Sequence, residues 1–282
     1  MIFASDLDRT LIYSAAALGI PETSPGIRPA ETKEGRVISY ISEQALELLI
    51  RFAGQAVFMP VTTRTVEQYR RIHLFRDTVI PDYAVTSNGG NILVNGKVDL
   101  QWRRHIGRQV AKESAGAGEV LETIRSVVRS EWVIGEYYCD ELFYSLTVYR
   151  NLLPKAEIAE LTANLLKVGW SVSVQGRKLY AVPAAVNKRD AIRHIRDRES
   201  EDLMVASGDS LLDGPLLESA DYAIAPCHGE LYRRCGETGT AAGYPFTRTG
   251  GVFAADEILA YVWEQYNLHD LQIAKTVEAG PA

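Results

Sequence analysis

The sequence has 282 residues, of which 46% are hydrophobic and 23% charged, and its formal net charge is -6. This composition is typical of a globular protein with a sizeable core, and the negative charge argues against a nucleic-acid surface, which needs clustered Lys and Arg. No apolar stretch has the length of a membrane span and no signal segment is evident, so the sequence predicts a cytoplasmic protein without membrane or nucleic-acid partners.

Short apolar segments alternate with amphipathic ones in the first and last thirds of the chain. The pattern predicts strands at 2–5, 56–61, 83–86, 203–207 and 222–225, and helices at 42–53, 65–74, 188–198 and 211–219. Strands that alternate with helices indicate a parallel sheet covered on both faces. The predicted fold class is therefore α/β, with a Rossmann-like, doubly wound parallel sheet.

The middle of the chain has a different pattern. A hairpin turn is predicted at Asn95-Gly96, and two amphipathic helices follow, separated and then followed by β-rich segments. Hairpins with separate helices indicate an α+β unit inserted into the parallel domain. The predicted division is a core of residues 1–87 and 187–272, a cap of residues 88–186, and a flexible tail of residues 273–282.

Polar residues follow the predicted parallel strands at four places. They are DLDRT at 6–10, TTR at 62–64, Lys188 in VNKRDAI, and GDSLLD at 208–213. Ligands of open α/β sheets bind at the carboxyl ends of the strands, where these segments would lie. Each segment alone also has a purely structural explanation as a helix cap or a turn.

The four segments together, in this order, resemble the motifs of the haloacid dehalogenase superfamily. The middle unit resembles the large C2-type cap of its Cof-type and sucrose-phosphatase-like branch, which SNGG at 87–90 and AVPAAVNKRDAI also match. DLDRTLIYS and PVTTRT show a weaker similarity to the members found among tellurium-resistance and stress-response genes.

The resemblance assigns roles that agree with the chemistry of these side chains. Asp6 would be the nucleophile and Asp8 the general acid and base, because a carboxylate can take a phosphoryl group and a second one can transfer protons. Thr62, with Thr63 as the alternative, and Lys188 would bind the phosphoryl oxygens. Mg²⁺ would be bound by Asp6, the backbone carbonyl of Asp8, Asp209 and Asp213. The expected substrate-binding residues are Arg9, Thr63, Arg64, Asn88 and Gly89.

The sequence departs from the branch at several positions. Arg9 replaces the usual Gly, Leu212 replaces a frequent Asn, and the connection over residues 15–40 is unusually long. A guanidinium at position 9 is expected to pair with Glu22, Glu31 or Glu34 of that connection, or else to bind a second anionic group on the substrate.

The predicted function is that of a Mg²⁺-dependent phosphatase for a small phosphorylated metabolite, either a sugar phosphate or a nucleotide-derived phosphate, acting through an aspartyl-phosphate. The alternatives are a phosphomannomutase-like phosphotransferase and a non-enzymatic partner in a stress-response assembly. Cys227, His228 and Cys235 could be a fragment of a zinc site, although ordinary thiols are favoured. The sequence leaves the substrate and the oligomeric state open.

Overall fold

The computed structural model describes residues 1–279. The first part of the chain forms β1 (Ile2–Ser5), β2 (Ile27–Lys33), β3 (Arg36–Ser42), α1 (Glu43–Ala53), β4 (Val57–Pro60), α2 (Val66–Arg70), α3 (His73–Asp77) and β5 (Tyr83–Thr86). The middle part forms β6 (Asn91–Val94), β7 (Lys97–Val98), α4 (Leu100–Glu113), α5 (Ala117–Val127), β8 (Val133–Cys139), β9 (Phe143–Val148), α6 (Lys155–Lys167), β10 (Trp170–Gln175) and β11 (Lys178–Pro183). The last part forms α7 (Lys188–Glu199), β12 (Met204–Ser207), α8 (Gly214–Glu218), β13 (Tyr222–Ile224), α9 (Glu230–Thr238) and α10 (Ala254–Ala279).

The first and last parts build one parallel sheet with the strand order β13-β12-β1-β4. Its central strand, β1, is buried on both faces, because Phe3 packs with α1 and α10 whereas Ile2 and Ala4 pack with α7 and α8. A strand covered on both sides is apolar throughout, which is why IFAS shows no polar alternation. The doubly wound parallel sheet predicted from the sequence is present.

The register of this sheet brings distant chain segments to one edge. Ser5 lies opposite Ser207 of β12 on one side and Pro60 of β4 on the other. The residues that follow the three strands therefore emerge side by side at the carboxyl edge. Asp6, Thr62 and Asp209 are brought close to one another in this way.

The unusually long connection over residues 15–40 contains regular structure. After a short 3-10 helix at Ala15–Ala17, β2 and β3 pair as an antiparallel hairpin. The pairing is irregular on either side of Glu31, where the register shifts twice. Such a bulge changes the direction in which the side chains point. As a result, the adjacent residues Ala30 and Glu31 are both buried.

The middle part forms a second sheet, antiparallel, with the order β10-β11-β9-β8. Along β11, Leu179 and Ala181 are fully buried in a cluster that includes Val120 and Leu161, from helices α5 and α6. Successive strand residues point to opposite faces. Lys178 and Tyr180 therefore lie on the face turned away from the two helices, and this face borders the cavity described below.

The boundaries of the inserted unit stay a prediction, but the strand pairing favours a later start than Asn88. Strand β6 pairs with β5, and Asn95 and Gly96 at the next turn have φ values of 48° and 74°, as in the predicted two-residue hairpin turn. Helix α4 then packs back, with Trp102 donating a hydrogen bond to the Gly89 carbonyl at 2.9 Å. These contacts continue the first domain rather than beginning a separate one.

Two further expectations differ from the structure in detail. The helix predicted at 65–74 is divided into α2 and α3. Helix α10 continues to Ala279, beyond the expected end of the core at 272, and residues 280–282 of the predicted tail lie outside the described residues. Within residues 1–279, no helix combines the length and the apolar character that crossing a membrane requires.

The junction between Gly89 and the start of α7 generates a stability prediction. Gly89 has φ of +100°, and a Cβ there would lie 2.0 Å from the Asn187 carbonyl oxygen. Gly89→Ala should therefore lower the free energy of unfolding by more than the roughly 1 to 2 kcal/mol that a positive φ costs a residue with a Cβ. Urea denaturation measures the loss.

Gly96→Ala is the matched control for this prediction. Gly96 also has a positive φ, +74°, but no atom lies within 4 Å of the Cβ position. Its substitution should carry the backbone penalty without the collision. Equal losses for the two variants would show that the close approach to Asn187 does not constrain the fold.

Candidate active site

Asp6 lies at the carboxyl end of β1, immediately after the last residue of the strand. Its backbone N–H donates to the Ser207 carbonyl at 2.9 Å, which fixes its position beside β12. The residue is buried, and its carboxylate accepts a hydrogen bond from Lys188 at Oδ1 (2.7 Å), with only a long contact of 3.4 Å from Thr10 at Oδ2. The second oxygen is the less engaged of the two.

Lys188 is the first residue of α7, at the position that the sequence predicted. The helix begins there because the Asn187 side chain accepts a hydrogen bond from the Asp190 N–H at 2.9 Å. The Lys188 side chain is buried, and its ammonium contacts Asp6 at 2.7 Å and Asp213 at 2.5 Å. One cation therefore holds two carboxylates from distant parts of the chain.

Asp209 and Asp213 complete a group of three buried carboxylates with Asp6. Carboxylate oxygens of the three residues lie within 4.8 Å of one another. Asp213 is held by Lys188 at Oδ1 and by the Ser210 N–H and hydroxyl at Oδ2, at 3.0 and 2.6 Å. Two cations stand against these three carboxylates, the ammonium of Lys188 and the guanidinium of Arg9 beside Asp209, so the group has one negative charge in excess.

The pKa values reflect this crowding of charge. Burial raises the pKa of Asp6 well above its usual value, and Asp213 and Asp209 raise it further against the opposing effect of Lys188. Burial and the neighbouring Asp213 likewise raise the pKa of Asp209 to about 7. Burial lowers the pKa of Lys188, but the charges of Asp213 and Asp6 outweigh it and raise the value above that of a free lysine. The site therefore carries a net negative charge.

Asp8 lies in a different environment from Asp6, although only one residue separates them. Its side chain is 50% exposed and accepts two hydrogen bonds from Arg64, at 2.7 and 2.8 Å. Burial of the carboxyl group raises its pKa, but the charge and hydrogen bonds of Arg64 outweigh this effect and lower the pKa below the usual value. Asp8 is therefore held in the ionised form.

Glu31 holds the Arg64 guanidinium in place through an ion pair. From the sequence, Glu31 was expected only as a partner for Arg9. Glu31 is fully buried, and its two oxygens contact Arg64 at 2.7 Å and Arg71 at 3.2 Å. Arg64 lines the cavity, as expected of a substrate-binding residue, but its N–H groups already face Asp8 and Glu31. The bulge in β2 that turns Glu31 inward has no signature in the sequence.

Arg9 does not form the ion pair expected with the 15–40 connection, and its binding of a second anionic group on the substrate stays a prediction. Instead of Glu22, Glu31 or Glu34, its guanidinium contacts the Asp209 carboxylate at 3.2 Å and the His228 carbonyl at 3.1 Å. Its φ is +67°, a conformation that glycine adopts without cost. The backbone geometry thus explains why Gly suits this position, and the side chain supplies a cation beside Asp209.

The remaining predicted site residues differ in their access to the cavity. Thr63 and Arg9 are among the lining residues, whereas Thr62 is fully buried. Asn88 and Gly89, expected to bind substrate, are not among the described residues that line the cavity. The Asn88 side chain instead donates to the Val186 carbonyl at 2.9 Å, so the structure gives it a role at the junction with α7.

His228 does not have the free nitrogen that a zinc ligand needs. Its Nδ1 accepts from the Gly251 N–H at 3.2 Å, so Nε2 carries the proton and donates to the Arg9 carbonyl at 2.9 Å. Burial is the main reason why the pKa of this ring is lowered, which keeps it neutral. The suggestion of a zinc-site fragment at Cys227, His228 and Cys235 is therefore wrong, and His228 instead supports the backbone at Arg9.

A cavity of about 650 Å³ lies above Asp6, between the parallel sheet and the inserted unit. Its floor includes Asp6, Asp8 and Asp209, and the opposite wall is formed by Arg150, Gln175, Gly176, Arg177, Lys178 and Tyr180. Sequence reasoning missed this wall. The only signal available was the Gln-Gly-Arg-Lys stretch, which reads equally well as an exposed turn.

Comparison with known proteins gives both a family and a fold. Residues 1–228 match the profile of a family described as sucrose-6F-phosphate phosphohydrolase. No curated protein sequence matches the chain significantly.

Several solved structures are similar over nearly the whole chain. The sucrose-phosphatase of Synechocystis sp. PCC6803, in complex with sucrose and phosphate, has a TM-score of 0.66 at 17% identity, over 93% of this chain and 97% of that chain. A HAD subclass IIB sugar phosphatase has a TM-score of 0.61 at 12% identity, over 94% and 98%. A trehalose-6-phosphate phosphatase related protein has 0.53 at 18%, over 96% and 100%. At these identities the similarity shows the fold, and it confirms a Rossmann-like core with an inserted cap.

The raised pKa of Asp209 generates a prediction on stability without added metal. Its folded value of about 7 lies above the ordinary 3.8, so between these limits the folded state binds one more proton than the unfolded state, and stability falls as pH rises. Asp209→Asn should be more stable than wild type, by an amount that grows from pH about 4 to about 7 and is constant above.

Urea denaturation in chelator across this range measures the difference, which we expect to reach on the order of 4 kcal/mol. Asp202→Asn, at an exposed aspartate, is the control and should show no such trend. A difference for Asp209→Asn that does not vary with pH would contradict the crowding of charge at the site.

Proposed function

Since this chain belongs to the sucrose-6F-phosphate phosphohydrolase family, and is a phosphomonoesterase of the haloacid dehalogenase superfamily, we propose that it hydrolyses a small sugar phosphate with Mg²⁺ through a phosphorylated Asp6. The observation that carries the proposal is the Asp6 carboxylate at the cavity floor, held by a buried lysine beside two further carboxylates. A structural relative described as a sucrose-phosphatase, solved with sucrose and phosphate, supports a sugar as the group to which the phosphate is attached.

The first step is attack by an Asp6 oxygen on phosphorus. A bond forms between this oxygen and phosphorus while the ester bond breaks, and the leaving sugar oxygen takes a proton from Asp8. Lys188 contacts Asp6 at 2.7 Å and is positioned to balance negative charge on the nucleophile and on the phosphoryl group together. Binding of phosphoryl oxygens by Thr62 stays a prediction, and Thr63, which lines the cavity, has the more direct access.

The second step is hydrolysis of the phosphorylated Asp6. Asp8, ionised after the first step, accepts a proton from water as the water oxygen attacks phosphorus, and Asp6 is released. The contacts of Arg64 favour this ionised form. They oppose the protonated form that the first step needs, so a substrate that engages Arg64 would weaken its hold on Asp8 and help the carboxyl group take up a proton.

The donor set at Asp6, Asp209 and Asp213 fits Mg²⁺. All ligand atoms on offer are carboxylate oxygens, which hard divalent cations prefer, and the excess negative charge of the group favours a cation there. The backbone carbonyl of Asp8 is the further proposed ligand. When bound, the ion would neutralise charge on the phosphoryl oxygens, which allows a carboxylate to approach them.

The nucleophile and the proton-transfer residue have separate tests. Asp6→Asn should abolish release of inorganic phosphate from sugar phosphates while leaving the unfolding transition intact, because the change is nearly isosteric. Asp8→Asn should slow turnover by about two to four orders of magnitude. A coupled assay for inorganic phosphate measures both.

The same assay separates hydrolysis from the phosphotransferase alternative. A hydrolase releases phosphate to water without any bisphosphate activator, whereas a mutase would return the phosphate to a sugar. Undiminished turnover by Asp6→Asn, with deamidation excluded by mass spectrometry, would falsify the assignment of the nucleophile.

The metal site is tested by thermal unfolding as well as by activity. Mg²⁺ should raise the unfolding midpoint of wild type, because an ion that binds only the folded state stabilises it. Chelation should abolish phosphate release. Asp209→Asn should lose most of the Mg²⁺-dependent increase in the midpoint, whereas Asp202→Asn should retain it; equal increases in both variants would exclude Asp209 as a ligand.

A further inference from the structure

The cavity has two walls with different charge. Every cationic side chain on the core wall contacts a carboxylate of the same wall. The pairs are Arg9 with Asp209 at 3.2 Å, Arg64 with Asp8 at 2.7 Å, Arg71 with Glu31 at 3.2 Å, and Arg233 with Glu230 at 3.7 Å. The core cations are therefore already neutralised by the protein.

The cap wall has the opposite character. Its charged side chains are Arg150, Arg177 and Lys178, and within the described residues it contributes no carboxylate to the cavity. Arg150 contacts Glu230 across the cavity at 3.5 Å. Among the side chains that the structure describes, neither Arg177 nor Lys178 has an ion-pair partner. Two neighbouring cations thus face a cavity without a counter-charge.

The surroundings of these cations make an anion favourable there. The Lys178 ammonium donates to the Thr147 hydroxyl at 2.6 Å and lies 5.3 Å from the centre of the Tyr137 ring, so its position is fixed. Burial lowers the pKa of Lys178, and the charge of Arg177 lowers it further. Gln175 also lines the cavity, and its Nε2 is buried with no acceptor. A bound anion would provide both the charge and the acceptor.

The negative charge of the transferred phosphoryl group would be balanced at a different place, the floor of the cavity. This group would lie on the floor beside Asp6, where Lys188 and the cation proposed at the carboxylates would balance its charge, whereas Arg177 and Lys178 belong to the β10–β11 hairpin on the opposite wall. We propose that Arg177, Lys178 and Gln175 form a subsite for a second anionic group, so that the substrate is a sugar phosphate that also carries a carboxylate or a second phosphate. This inference rests on the proposed function.

The test compares matched substrates that differ in the second anion. Fructose 6-phosphate and fructose 1,6-bisphosphate form one pair, and glucose 6-phosphate and 6-phosphogluconate form the other. The wild type should show a higher kcat/KM for the doubly anionic member of at least one pair, and which pair shows it identifies the anion as phosphate or carboxylate. Arg177→Gln should reduce this ratio about tenfold, mainly through KM, because it removes a charge-assisted contact.

Arg129→Gln is the matched control, because Arg129 is an exposed cap arginine outside the cavity. It should keep the wild-type ratio, which separates direct contact from the overall charge of the cap. If Arg177→Gln lowers kcat/KM equally for both members of a pair, or if the wild type prefers neither doubly anionic substrate, the subsite does not exist.

Binding to Asp6→Asn protein separates this inference from the proposed function. Dissociation constants for the same four compounds, measured by calorimetry with Mg²⁺, should show the same preference and the same loss on adding Arg177→Gln. Failure of every compound to be hydrolysed by wild type would overturn the proposed function, while the ratio of dissociation constants would still decide the subsite. A ratio near one would reject it.

Discussion

The site depends on the two ion pairs that the buried ammonium of Lys188 forms. This ammonium lies between Asp6 and Asp213, and all three side chains are removed from water. Loss of this lysine would leave two buried carboxylates without a counter-charge, which is strongly destabilising. The fold therefore fixes Lys188 closely: Asn187 caps its helix, and Gly89 allows the chain to approach the helix start.

Two aspartates separated by one residue have opposite electrostatic environments. Burial and two neighbouring carboxylates raise the pKa of Asp6, whereas two hydrogen bonds from Arg64 lower that of Asp8. In the mechanism that we propose, these different environments allow one residue type to serve both as nucleophile and as proton-transfer residue. The difference arises from the surroundings, since Lys188 serves Asp6 and the Glu31-supported Arg64 serves Asp8.

The sequence alone was sufficient for the features that depend on local pattern and strand order. Apolar IFAS before Asp6 indicates a strand buried on both faces, and parallel strands place the residues that follow them at one edge. Asn95-Gly96 specifies its hairpin turn, and Asn187 marks the start of a helix at Lys188. These signals predicted the parallel core, the inserted unit and the meeting of Asp6, Lys188, Asp209 and Asp213.

The tertiary structure alone decided which charges pair. Arg9 was expected to meet the 15–40 connection but contacts Asp209, and Glu31 of that connection contacts Arg64 and Arg71 instead. A bulge turns Glu31 inward. It shifts the strand register and so breaks the alternation of inward and outward side chains on which strand prediction from sequence depends. The positive charge of the cap wall likewise could not be predicted from the sequence, because it depends on which face of β11 the folded cap turns toward Asp6. Ion pairing is a property of distances between remote segments, and only packing sets those distances.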